Sequence, residues 1–141
     1  MISAVALFCQ DIREEKAGTV SIIGVFTDNI TVQKVPFAFP QMAIYTRINF
    51  PVSEEPPRII AMRIVFADGR EIDLATFDAE LIQKARSESV AKGSAKAGLV
   101  ATAAMAPVPI AQAGRINVIA KIDGQDSVCG TLNVQVPDAK A

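Results

Sequence analysis

Apolar and polar side chains alternate along much of the chain. Met42, Ile44, Thr46, Ile48 and Phe50 fall on one side of an extended segment, and Ala43, Tyr45, Arg47 and Asn49 on the other. This period of two predicts a strand over 42–50 with one buried face. Residues 58–66 repeat the pattern, with Ile60, Met62, Ile64 and Phe66 inward and Arg63 outward. Asp68-Gly69 then supplies a tight hairpin turn, and 71–77 returns as the partner strand. A third alternating pair closes the chain. Residues 115–122 lead into Asp123-Gly124, and 128–136 returns with Val128, Gly130, Leu132, Val134 and Val136 on one face. Cys129, Thr131, Asn133 and Gln135 lie opposite.

The N-terminal segment reads differently. Nearly every residue from Ala4 to Cys9 is apolar, which predicts a first strand over 2–10 covered on both faces. The charged run from Asp11 to Lys16, followed by Ala17-Gly18, reads as the turn to a second strand over 19–27, with Gly18 free to take positive φ. A short extended piece follows over 30–35. Pro36 and Pro40 bracket Phe37-Ala38-Phe39, and prolines exclude a central strand there. The run from Ser53 to Pro57 is a loop by composition.

The period changes at Asp78, whose side chain suits a helix N-cap, with helix formers over 79–92 and Gly93 as the stop. Leu81, Ile82, Ala85, Ser89 and Val90 make only a thin apolar stripe, which predicts a surface helix. Residues 78–113 hold 11 of the 22 alanines. Within them 99–106 reads as a strand of small residues, ended by Pro107-Val108-Pro109. Three hairpins and one helix predict an all-β fold, an antiparallel immunoglobulin-like β-sandwich of 7–8 strands with one inserted surface helix. It forms a single domain over 1–141, with 78–98 as a helical, alanine-rich insertion.

Composition supports this reading. Ile 16 and Val 14 stand against Leu 5, and β-branched side chains suit a pleated sheet. Aromatic residues make up 6% and tryptophan is absent, so stacking platforms for sugars or bases are scarce. A net charge of -1 gives no basic field for nucleic acid or anionic lipid. The absence of histidine excludes Ser-His-Asp triads, Cys-His dyads and His-ligated metals. Cys9 and Cys129 lie far apart without a CxxC spacing and read as buried, free thiols. No stretch reads as a signal peptide or a spanning helix, since 97–112 is short and holds two prolines. The expectation is a soluble protein made inside a cell.

The run Cys9-x-Asp11-Ile12-Arg13-Glu14, followed by Gly18 and by Ser21-x-Ile23-Gly24-Val25-Phe26, resembles a family of small uncharacterised proteins of bacterial and bacteriophage genomes. A Gly-led strand and Asp-Gly hairpin, like 114–136 here, are similar to that family's C-terminal end. The similarity covers roughly the first 45 and last 25 residues. The resemblance implies a β-sandwich with no assigned activity, and it transfers no functional residue. The alanine-rich stretch over 78–106 is longer than its pattern implies.

Candidate chemistry is sparse. The charged run 11–16 mixes both signs and lacks the alternating oxygen spacing of a calcium loop, so it reads as a solvated turn. Glu54, Glu55, Asp68, Asp123 and Asp126 sit mostly in turns, and nothing singles out an acid–base pair. Ser94 and Lys96 fit linker chemistry better than a nucleophile pair. No glycine-rich phosphate loop occurs. The expectation is a non-enzyme with no catalytic residue, no metal and no cofactor.

Two stretches look like partner-binding sites. Phe37 and Phe39, stiffened by Pro36 and Pro40, have the form of interface anchors, although the same rings also suit a plug in the end of their own sandwich. The uncharged Leu99, Val100 and Met105 lie in a run whose small side chains let another backbone approach. The leading expectation is therefore a non-catalytic interaction module, a subunit of a homo- or hetero-oligomer with protein partners and no nucleic acid or membrane. The phage distribution implied by the resemblance makes a capsid-decorating or tail-associated virion component its most concrete form. A small-ligand or glycan-binding module using the loops at one sandwich end is the alternative, and an enzyme is third.

Overall fold

The computed structural model describes residues 1–137, which form eleven strands and one α-helix. The strands are β1 (Ser3–Glu14), β2 (Val20–Val25), β3 (Asn29–Thr31), β4 (Phe37–Phe39), β5 (Met42–Pro51), β6 (Ile60–Val65), β7 (Glu71–Phe77), β8 (Lys96–Met105), β9 (Val108–Ile110), β10 (Gly114–Ile122) and β11 (Gln125–Gln135). Helix α1 (Ala79–Ala91) joins β7 to β8. One sheet has the order β2-β1-β5-β8, a second β3-β11-β10-β6-β7, and β4 and β9 form a separate ribbon.

The two main sheets share one aliphatic core. From the first sheet come Ala6, Phe8, Ile44, Ile48 and Phe50; from the second come Met62, Ile64, Ile116, Val118, Leu132 and Val134. The alternation over 42–50 is realised in full, with Met42, Ile44, Thr46, Ile48 and Phe50 all buried. Thr46 is the polar member of that row, and its hydroxyl donates to the Ala101 carbonyl at 2.9 Å. A buried hydroxyl without such a partner would be destabilising.

The three predicted hairpins form as β1–β2, β6–β7 and β10–β11. Asp78 caps α1, accepting the Leu81 N–H at 2.9 Å. Gly93 follows the helix with φ of 71°, a left-handed stop that glycine takes without steric cost. Ile82 is buried while Leu81 and Val90 are exposed, so α1 is the thin-striped surface helix expected.

Several expectations need correction. The charged run is not the turn: β1 continues through Asp11, Ile12, Arg13 and Glu14, each paired with β2. The turn falls at Lys16–Gly18, where Ala17 and Gly18 take positive φ. A projecting two-strand hairpin exposes both faces near its tip, so charged side chains sit in strand without cost. The sheets are also not wholly antiparallel, because β3 runs parallel to β11. The alanine-rich stretch is no appendage beyond residue 95, since β8 pairs along its length with β5. Pro107-Val108-Pro109 does not simply end that strand: Val108–Ile110 is β9, paired with β4, so both proline-bracketed segments become one peripheral ribbon. Finally, the register between β10 and β11 shifts at Val118/Ile119. The extra residue, Cys129, turns toward the core, and Val128 is left 60% exposed rather than inward. A one-residue insertion reverses the face of every side chain beyond it.

Candidate functional site

The outer faces of the two sheets differ in chemistry. On the second sheet Arg63 of β6 reaches across β10. Its guanidinium donates to both Asp126 carboxylate oxygens at 3.2 and 3.0 Å, and to Glu71 Oε1 at 3.1 Å. These hydrogen bonds raise the Arg63 pKa further, and they hold the Asp126 carboxyl below its ordinary value. Lys121 and Asp73 complete a solvated, charged surface. Such a face is at ease in water.

The outer face of the first sheet is largely apolar. Strand register sets its rows: Val5, Arg47 and Val100; then Leu7, Tyr45 and Thr102; then Val25, Cys9, Ala43 and Ala104. Val5 is 53%, Val25 51% and Val100 50% exposed. Cys9 and Ala43 are fully buried yet stand outside the core cluster. The Cys9 thiol donates to the Ala43 carbonyl at 3.4 Å. Burial pushes its pKa up, and the Asp11 carboxylate adds to the rise. Arg47 is the one charged side chain in these rows.

The continuous apolar run from Ala4 to Cys9 predicted a strand covered on both faces. The face carrying Ala6 and Phe8 is covered, whereas on the other face Val5 and Leu7 meet solvent and Cys9 alone is buried. Composition flagged neither Val25 nor Tyr45 as site residues. The signal that pointed to this surface was the run itself, once one of its faces lies open.

The expected anchors separate. Phe39 is 7% exposed and belongs to the core cluster. Its ring packs edge-on against Phe37 at 5.0 Å between centroids and lies 5.7 Å from Phe26. Its side chain is therefore occupied within its own sandwich, as in the plug alternative, and is not presented to a partner. Phe37 is half-buried against the core, while Pro36 and Pro40 are exposed. Leu99 is buried and Met105 half-buried on the inner face of β8, so of that trio Val100 alone is exposed on the outer face.

Pro40 and Phe39 also border a shallow cleft of about 390 Å³, with Gln10, Asp11, Phe26 and Gln41. Asp11 Oδ1 accepts from the Gln41 amide at 3.0 Å and from the Ile12 N–H at 2.9 Å. Sequence reasoning took Asp11 as part of a solvated turn and missed that β1 carries it to this cleft. Gly24 lies beside it with φ of 65°, where a Cβ would overlap the Gln10 side chain. The motif residues Asp11, Gly24 and Phe26 thus shape one hairpin base. Ser94 and Lys96 are joined only locally, the Ser94 hydroxyl donating to the Lys96 carbonyl at 2.8 Å. Among the described residues no helix is long and apolar enough to cross a membrane.

No curated protein matches the chain. A family model does match, over residues 4–135, and so takes in both sheets, the helix and the hairpin base. The chain belongs to the family of unknown function DUF6941.

Proposed function

We propose that the protein is a non-catalytic interaction module whose first sheet docks onto a protein partner within a larger assembly. The observation that carries this reading is the contrast between the two outer faces. One bears an ion-pair network; the other sets Val5, Leu7, Val25 and Val100 in water. Exposed apolar side chains gathered on one sheet face support a binding role for it. The first strand's sequence also suits burial on both sides. An immunoglobulin-like scaffold fits this use, because its sheet faces and end loops are both free for recognition. A virion component, decorating a capsid or attached to a tail, is the most concrete form of the proposal. Its support is the phage distribution implied by the N-terminal motif.

Light scattering after size exclusion tests the reading. The chain is expected to associate as its concentration rises. Val5→Lys with Val25→Lys charges the face without touching the core, and should reduce that association at an unchanged melting temperature. A chain that stays monomeric at every concentration would favour the alternative, a small-ligand module, for which the cleft at Asp11, Phe26 and Gln41 is the site to probe.

A further inference from the structure

The first sheet ends at β8, and among the described residues no strand pairs with its outer side. An unpaired edge offers a row of N–H and C=O groups to another strand. The other sheet edges are guarded. β3 has 3 residues, β7 carries Glu71 and Asp73, and the ladder of β2 is interrupted at Gly24, whose φ is 65°. β8 has 10 residues, no proline, and one charge, Lys96, at its first position.

Helix α1 packs against β8. Arg86 fastens it to the Val52 carbonyl at 3.1 and 2.9 Å, beside the strand's start, where Val52 N–H donates to the Ala95 carbonyl. The part of the edge away from that tether runs from Leu99 to Met105, with Leu74 of β7 bordering it at Ala101–Ala103.

We propose that this half-strand pairs with the same strand of a second copy, antiparallel about a two-fold axis at Thr102. The inference rests on the interaction-module reading and names its partner. The register is self-consistent. Val100 faces Ala104 of the second copy, Leu99 faces its Met105, and Ala101 faces its Ala103. Each pair joins residues of like parity, so outer faces meet outer faces and inner meet inner; a slip of one residue would set the outer face of one copy beside the inner face of the other. No charge falls inside the paired stretch, and the two lysines at position 96 lie at opposite ends. At the axis Thr102 meets its own copy, a favourable cross-strand pair. The result is one eight-stranded sheet whose two apolar outer faces run together into a single docking surface. One strand pair buries little area, so the dimer is weak and concentration-dependent.

The test uses the full chain. Thr102→Lys sets two ammonium groups directly opposite one another at an exposed site. It should abolish the monomer–dimer step in light scattering while leaving the melting temperature unchanged. Thr102→Cys should form an intermolecular disulfide under mild oxidation, mapped to residue 102 by peptide analysis, and Val100→Cys should form at least tenfold less. The β8-paired dimer should persist in the Val5→Lys, Val25→Lys variant, which should lose only the larger species formed through the sheet face. Association that survives Thr102→Lys, with no disulfide at 102, would overturn β8 pairing and leave the module reading standing. A dimer lost in the Val5, Val25 variant but kept in Thr102→Lys would place the contact on the sheet face instead. A chain monomeric throughout would overturn both.

Discussion

Gly130 of β11 lies against the main-chain carbonyl of Ala6 in β1, so close that a Cβ on residue 130 would overlap the oxygen. The two sheets therefore approach backbone to backbone at this point, and glycine is required for space rather than for a special φ. Gly130→Ala forces the sheets apart. Over-packing of this kind costs about 1–3 kcal/mol, and urea unfolding should show a loss in that range. Wild-type stability for Gly130→Ala would mean that the sheets yield freely here.

The Phe37–Phe39 pair makes a second prediction. Phe39→Ala removes a buried ring and leaves a cavity, at a cost of about 3–5 kcal/mol. Phe37, half-buried, should cost clearly less. Thermal and urea unfolding of the two variants, measured side by side, check the order. Equal losses would show that the edge-on contact acts as one unit.

The Arg63 network predicts a pH dependence. Hydrogen bonds from Arg63 hold the Asp126 carboxyl below its ordinary value of 3.8. A group whose folded pKa is depressed adds stability above its unfolded value, and loses it as pH falls through the folded value. The gap in stability between the wild type and Asp126→Asn should therefore be complete above about pH 5 and shrink as the pH drops below 3.8. Asp126 is exposed, so the gap should also shrink in high salt. A gap indifferent to both would mean the ion pair adds nothing.

The two thiols should react in order. Cys9 is fully buried and Cys129 half-buried, and burial pushes both pKa values up, with Asp11 adding to the rise at Cys9. The thiolate is the reactive form. In the native protein at pH 8 a thiol-specific reagent should label Cys129 slowly and Cys9 hardly at all, and both should react at once in denaturant. Rapid native labelling of Cys9 would show that the outer face of β1 opens.

Much of the fold was legible because burial writes a period of two into strands such as β5 and β6. Met42 to Phe50 and Ile60 to Ile64 could be assigned to faces residue by residue. Asp78 and Gly93 bracketed the helix because caps act locally. What stayed hidden depends on partners distant in sequence. The bulge at Cys129 leaves no compositional mark, yet it reverses Val128. The β4–β9 ribbon brings Phe37 to Ile110 across the chain, which prolines alone cannot announce. The candidate surface was half legible: the apolar run of β1 was plain, but which face remains open depends on the second sheet.

The parallel pairing of β3 with β11 also sets a schedule. Val134 is the neighbour of Ile30 in that ladder, and the Asn133 side-chain amide donates to Asn29 Oδ1 at 3.1 Å. During synthesis the segment at Asn29–Thr31 emerges early and waits for almost the whole remaining chain before its partner exists. Contacts of such wide sequence separation slow folding, because loop closure precedes any gain. A ribosome-bound chain stopped before β11 leaves β10 with one neighbour and β3 without its partner strand. Such a stalled chain should be sensitive to protease throughout the second sheet, and resistance should arrive late and all together.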